Sequence, residues 1–128
     1  MVVWHPVLYI CHAPKWYDIS TMVLLEVFVA SETTKQGLSE EEAVDLAKRI
    51  GEYPNVRLRG VMAMATFTDD MDQVRREFSK AAAIAAKVAA AAGIEKPEIS
   101  MGMTSDYEVA IECGSTIVRI GTAIFGAR

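Results

Sequence analysis

Glycines and hydroxyl side chains are concentrated in two segments near the end of this sequence, where they could bind an anion. One segment is residues 100–106 and the other is residues 114–126. Each follows or contains a short apolar run. Glycines and hydroxyls in such places expose backbone N–H groups near a helix start, where a phosphate or carboxylate can bind. Arg119 lies in the second segment and supplies one cation. The two segments together predict an anion-binding site.

The composition indicates one globular domain. The chain has 128 residues, of which 52% are hydrophobic and 23% charged, and this length is sufficient to bury a core. No apolar run reaches the roughly 18 to 20 residues of a membrane span, and the start lacks a signal-peptide pattern. We therefore expect a cytoplasmic protein with no membrane partner. The net charge of −4 and the absence of a basic stripe argue against a nucleic-acid partner.

Cysteine and histidine do not predict a metal site. Cys11 and Cys113 lack the spacing of paired metal ligands, and two free thiols are the simpler interpretation. His5 and His12 lie near Cys11, but no second pair of ligands accompanies them.

Two strand–helix units follow from residue 23. Residues 23–29 and 58–64 are apolar and of strand length, which favours strands buried on both faces. Each is followed by a helix with a capping-box pattern at its start, Ser39 with Glu42 and Asp70 with Gln73. The first helix is predicted to end near Gly51 and the second at Gly93.

A third and a fourth unit complete the pattern. Residues 98–101 and 116–120 are predicted as short strands, with a helix over residues 106–113 and a third capping box at Ser105 and Glu108. Alternating strands and helices are typical of α/β proteins with parallel strands joined by crossover helices. Four strands could form an open sheet or half of an eight-stranded TIM-type barrel. Phosphate commonly binds after the last two strands of such a barrel, which favours the second half, strands five to eight.

Four motifs resemble those of the pyridoxal phosphate homeostasis proteins, the YggS/PROSC family. They are SMGMTSD at residues 100–106, GSTIVRIGTAIFGAR at 114–128, SETTKQGL at 31–38 and NVRLRGVM at 55–62. The resemblance covers residues 23–128 and leaves residues 1–22 as an unmatched leader segment. It implies the barrel fold of the alanine racemase N-terminal domain, here as a C-terminal half-barrel over residues 23–128. It also implies a non-catalytic role in vitamin B6 homeostasis.

The resemblance implies five cofactor-binding residues and no catalytic or metal-binding ones. Thr104, with Ser105 beside it, occupies the position of a hydroxyl that binds the phosphate of pyridoxal 5'-phosphate. Gly121 and Thr122 offer backbone N–H groups and a hydroxyl to the same phosphate, and Arg119 faces the pyridine nitrogen. An arginine cannot accept a proton, so it would keep that nitrogen unprotonated and weaken the ring as an electron sink.

The sequence also departs from the family. The chain is far shorter than the roughly 250 residues typical of this barrel, and the missing half carries the lysine that forms a Schiff base with the cofactor. Neither Lys15 nor Lys35 matches that lysine motif. We therefore expect cofactor binding in this chain to be weak or non-covalent.

Three functions are consistent with these patterns. The first is a non-catalytic pyridoxal phosphate binding protein in shortened form. The second is an amino-acid racemase-like enzyme, which would need a lysine and an opposing base such as tyrosine. The third is a ligand-free half-barrel that is stable only as a dimer. As alternatives for single residues, Gly121 and Gly126 could serve packing, and Arg119 could pair with a carboxylate such as Glu26. All three predict self-association, because a half-barrel exposes sheet edges.

Overall fold

The computed structural model describes residues 21–31 and 36–126. Within these ranges three strands form one parallel sheet in the order β1 (Thr21–Glu26), β2 (Val56–Met62) and β3 (Glu98–Ser100). The predicted α/β class with a parallel sheet is confirmed. Most of the leader segment and both Lys15 and Lys35 lie outside the described residues. Among the helices in the described ranges, none is long and apolar enough to cross a membrane.

The first helix, α1 (Glu40–Arg49), begins as the sequence predicts. The Oγ of Ser39 accepts a hydrogen bond from the Glu42 amide at 3.2 Å, and the Glu42 carboxylate accepts one from the Ser39 amide at 3.3 Å. This capping box satisfies two backbone donors that a helix start leaves without partners. A 3-10 turn, Ile50–Glu52, follows the helix directly.

The long helix α2 (Met71–Ala92) packs against α1 and β2 and buries one side. Asp70 caps its start by accepting from the amides of Asp72 and Gln73, and Gly93 ends it with φ +73°. The predicted capping box is wrong in its second half. The Gln73 amide group does not return to Asp70 but donates to Ser31 and Glu77.

The core lies between the sheet and the two long helices. Its fully buried residues include Leu25, Val61, Val74, Phe78, Ile84, Val88 and Met101. A close approach of β2 and β3 depends on Gly60, where an added Cβ would lie 1.8 Å from the Glu98 carbonyl oxygen. A side chain at this position would push the two strands apart.

Strand β1 begins at residue 21 and ends three residues before the predicted end at residue 29. Beyond Glu26 the Val27 amide still donates to the Met62 carbonyl of β2, and the opposite edge of the chain pairs with Leu38. The Phe28 amide donates to the Leu38 carbonyl at 2.8 Å, and the Leu38 amide donates to Glu26 at the same distance. Strand β2 is likewise shifted towards the N-terminus, because residues 63 and 64 lie beyond its last paired residue.

The predicted fourth strand at residues 116–120 is wrong as a regular strand. Only Ile117 forms a β-bridge, with Ser100. The Ser115 Oγ donates to the Met101 carbonyl at 2.6 Å, and the Thr116 hydroxyl accepts from the Ile99 amide at 2.8 Å. Serine and threonine side chains compete with regular backbone pairing in this way. The segment still lies parallel beside β3.

The third helix, α3 (Tyr107–Glu112), lacks the predicted capping box at Ser105 and Glu108. Its N-cap is Asp106, whose carboxylate accepts from the Met103 amide at 2.7 Å and so tightens the preceding turn instead of capping the helix. A short helix, α4 (Thr122–Phe125), then closes the described chain.

Candidate functional site

A cavity of about 770 Å³ lies where the segments after β2 and β3 meet the start of α4. All five residues predicted to bind a cofactor line it: Thr104, Ser105, Arg119, Gly121 and Thr122. Most of the rest of the wall is apolar and includes Met64, Phe67, Phe78, Met103 and Phe125. A small number of polar groups on a largely apolar wall is typical of cofactor pockets.

One side of the cavity presents polar groups without protein partners, and we call it the anion side. It consists of Thr104, Ser105, Gly121 and Thr122. In the described chain the backbone amides of Thr104, Ser105 and Gly121 donate to no acceptor, and no hydrogen bond involves the three hydroxyl groups. Unpartnered donors at a partly exposed surface can bind an anion.

The turn that carries Thr104 is held by local contacts. Gly102 has φ +104°, and an added Cβ would lie 2.6 Å from the Cβ of Ala110 in α3. The bond from Met103 to the Asp106 carboxylate closes the turn on its other side. Sequence reasoning did not assign Asp106 to the site. Asp106 accepts a hydrogen bond from the backbone amide three residues before it, as the acidic residue of a capping box does, and this spacing is the local signal that could have revealed it.

Arg119 is anchored to the carboxyl ends of β2 and β3. Its guanidinium donates to the Ser100 carbonyl at 3.0 Å, to the Ser100 hydroxyl at 2.6 Å and to the Ala63 carbonyl at 3.1 Å. These bonds use three of its five N–H donors and leave two. The site therefore holds a cation in a fixed position with spare hydrogen-bonding capacity.

The charge of Arg119 is not neutralised by a direct ion pair. Burial lowers the pKa of its guanidinium, and the more distant charges of Asp106 and Glu26 partly oppose this effect. Among the described residues no carboxylate lies within ion-pair distance of it. An arginine remains protonated at neutral pH, so the group is a positive charge available to a ligand.

The apolar part of the wall was not predicted. Phe67 follows β2 and Phe125 lies in α4, and their exposed fractions are 85% and 86%. Met103 is 47% exposed, whereas Met101 is fully buried in the core. No periodicity distinguishes the exposed residues from core residues in the sequence. Their location next to the cavity is known only from the fold.

The cavity wall contains few groups that could transfer protons. Asp106 and Arg119 are its ionisable residues within the described chain, and no lysine or tyrosine is among the residues that line it there. Among the described residues no group of three His, Cys, Asp or Glu side chains is arranged to hold a metal ion. The geometry is suited to binding a small anion with an apolar body.

The sequence profile of the alanine racemase N-terminal domain matches residues 19–128. The chain belongs to this family. Among curated relatives, a pyridoxal phosphate homeostasis protein of Pasteurella multocida is 42% identical over 107 residues, which is 83% of this chain and 46% of the relative. One from Vibrio alginolyticus is 44% identical over 109 residues, covering 83% of this chain and 45% of that protein. The chain thus spans about half the length of the curated relatives it matches.

A solved structure has a similar fold. PipY of Synechococcus elongatus PCC7942, determined with PLP bound, superposes with a TM-score of 0.72 at 27% sequence identity. The match covers 84% of this chain and 50% of PipY. The expected resemblance to pyridoxal phosphate homeostasis proteins and the alanine racemase N-terminal fold are both confirmed. Assignment of the strands as five to eight of a barrel remains a prediction.

Proposed function

We propose that this chain is a non-catalytic pyridoxal 5'-phosphate binding protein of vitamin B6 homeostasis. One observation carries the proposal: unpartnered amides and hydroxyls, together with an anchored arginine, line a single cavity. The names of its relatives and the PLP-bound PipY structure support the same ligand.

The anion side fits the phosphate of the cofactor. A phosphomonoester carries between one and a half and two negative charges at neutral pH, by a second ionisation near pH 6. Thr104, Ser105 and Thr122 supply hydroxyls, and the amides of Thr104, Ser105 and Gly121 supply further donors. We assign the phosphate to these groups.

Arg119 is assigned to the pyridine nitrogen. When bound, the cofactor supplies an electrophilic carbonyl and an electron-withdrawing ring. Arg119 has two N–H donors left after its bonds to Ser100 and Ala63, and it has no basic nitrogen that could give up or take a proton at neutral pH. It can therefore donate a hydrogen bond to the nitrogen without protonating it. An unprotonated nitrogen makes the ring a weaker electron sink.

The described cavity favours binding over catalysis. A racemase-like reaction needs two proton-transferring groups on opposite faces of the substrate. The one carboxylate on the described wall, Asp106, already accepts the Met103 amide. The described lysines, Lys48, Lys80, Lys87 and Lys96, do not line the cavity. We accordingly propose non-covalent binding.

Self-association is part of the proposal. Within the described sheet β1 is an edge strand. Leu38 bonds to its outer edge at Glu26, and near the other end the Met22 side chain is 67% exposed. An edge strand with an exposed apolar side chain is a template for pairing with another strand. We propose that two copies associate through this edge.

An absorbance titration with pyridoxal 5'-phosphate, followed by borohydride reduction and mass spectrometry, tests the proposed function. We expect saturable binding and no stoichiometric adduct on a single lysine after reduction. A stoichiometric reduced adduct on one lysine would overturn non-covalent binding, and lack of saturation would overturn the function itself.

A further inference from the structure

We infer that Glu77 is a positioning residue that sets the part of the cavity's apolar wall that follows β2. Glu77 lies on α2, and it is 8% exposed. Its carboxylate does not line the cavity, and among the described residues no cation pairs with it. A buried carboxylate is stable only when hydrogen bonds replace the water that it has lost. The inference rests on the proposed function.

The donors to Glu77 come from chain segments that follow two different strands. Thr66, after β2, donates from its amide at 2.7 Å and from its hydroxyl at 2.6 Å. Ser31, after β1, shares its amide between the Thr66 hydroxyl at 2.9 Å and Glu77 at 3.2 Å, and the Gln73 side chain donates to Glu77 at 3.3 Å. One carboxylate therefore ties both segments to α2.

The hydroxyl groups in this cluster have a consistent direction of donation. The Thr66 hydroxyl donates its one proton to Glu77. In the 3.0 Å hydrogen bond between the Thr66 and Ser31 hydroxyls, the donor is therefore Ser31. The Ser31 oxygen can then accept from the Gln73 amide group at 2.9 Å. Every donor in the cluster has an acceptor when Glu77 accepts all four hydrogen bonds. The cluster is therefore rigid as a unit.

The cluster bears directly on the cavity wall. Thr66 lies between Ala65 and Phe67, and both of these neighbours line the cavity, as does Met64. These residues contribute the part of the apolar wall that follows β2, whereas the anion side is built from residues after β3. Glu77 should therefore control contacts with the ring of a bound cofactor and leave contacts with its phosphate unaffected.

The substitution Glu77→Gln tests this division. A glutamine has one acceptor oxygen, and its NH₂ group must face either the Thr66 amide or the donors on the other side, so one donor meets another donor. Thr66→Val removes the hydroxyl without changing the shape and is a second, milder variant. Arg75→Gln is the matched control, because Arg75 lies on the same helix and pairs at the surface with Glu112.

Two probes are measured on the full chain. Affinity for pyridoxal 5'-phosphate is taken from absorbance, and affinity for inorganic phosphate from amide shifts of Thr104 and Gly121 in NMR spectra. In Glu77→Gln and Thr66→Val we expect pyridoxal 5'-phosphate affinity to fall by about tenfold, and phosphate affinity to change by less than about twofold. Arg75→Gln should change neither.

The other outcomes overturn separate claims. Unchanged pyridoxal 5'-phosphate affinity in both variants would refute the role of Glu77 and leave the proposed function standing. An equal loss of both affinities would indicate general damage to the fold and would also refute the role of Glu77. Absence of pyridoxal 5'-phosphate binding by the unmodified chain would overturn the proposed function, and the inference with it.

Discussion

Arg119 donates two hydrogen bonds to Ser100, one to its carbonyl oxygen at 3.0 Å and one to its hydroxyl at 2.6 Å. Ser100 is the last residue of β3 and is 4% exposed. This pair joins a cation to the carboxyl end of the sheet, where α/β proteins bind their ligands. The position of Arg119 is thus set by the fold and does not depend on a bound anion.

Replacing Arg119 by glutamine should weaken pyridoxal 5'-phosphate binding and destabilise the fold. The variant loses the cation and leaves the Ser100 and Ala63 carbonyls short of donors, at a cost of about 1 to 3 kcal/mol. Calorimetric binding and urea unfolding measure the two effects. Arg57→Gln is the control, because Arg57 is an exposed residue of β2, and it should change neither measurement.

Thr104→Val should weaken cofactor binding without loss of stability. Its hydroxyl has no hydrogen-bond partner within the described residues, so the folded protein loses nothing when it is removed. A hydrogen bond to a charged phosphate contributes about 1.5 to 3 kcal/mol, which corresponds to about tenfold or more in affinity.

Thr116→Val is the control for Thr104→Val, because it removes a hydroxyl that has partners in the folded protein. The Thr116 hydroxyl donates to Glu98 at 2.6 Å and accepts from the Ile99 amide, outside the cavity. We expect a loss of about 1 kcal/mol in stability and unchanged cofactor affinity. If Thr104→Val behaved like Thr116→Val, the assignment of the anion side would be wrong.

Gly60→Ala should be strongly destabilising. The new methyl group would overlap the Glu98 carbonyl oxygen, 1.8 Å away, and force β2 from β3. Overpacking of this kind costs about 1 to 3 kcal/mol or more. Gly51→Ala is the comparison, since a Cβ there has no atom within 4 Å. Equal unfolding midpoints for the two variants would show that the strands are not held at this distance.

Met22→Lys should convert self-associated protein to monomer. A lysine on an edge strand opposes pairing with a second strand, because the charge would have to be desolvated. Sedimentation velocity of the two proteins at equal concentration measures the change. A monomeric unmodified chain, or a variant that associates equally well, would exclude this edge as the interface.

The elements that sequence reasoning predicted well are those determined by nearby residues. Ser39 and Glu42 are three positions apart, and their capping box forms as expected. The stripe that includes Val74 and Phe78 is buried, because helical spacing alone puts those residues on one side. Gln73 has the same capping pattern as Glu42, but it turns instead to Ser31, a residue distant in sequence.

The candidate site was predictable to a similar extent. Its anion side follows from glycines and hydroxyls that are adjacent in the chain, and the structure gathers Thr104 and Gly121 at one cavity. Their role in cofactor binding remains a prediction. The Glu77 cluster was not predictable, because it depends on two segments that follow different strands and meet at one side chain of α2. Contacts of this kind leave no local pattern.

The most direct test of the account is a calorimetric comparison of pyridoxal 5'-phosphate with pyridoxal, which lacks the phosphate. If Thr104, Gly121 and Thr122 bind the phosphate, pyridoxal 5'-phosphate should saturate one site per chain, and pyridoxal should bind at least about tenfold more weakly. Equal affinities for the two compounds, or no saturable binding of pyridoxal 5'-phosphate, would contradict the proposed site.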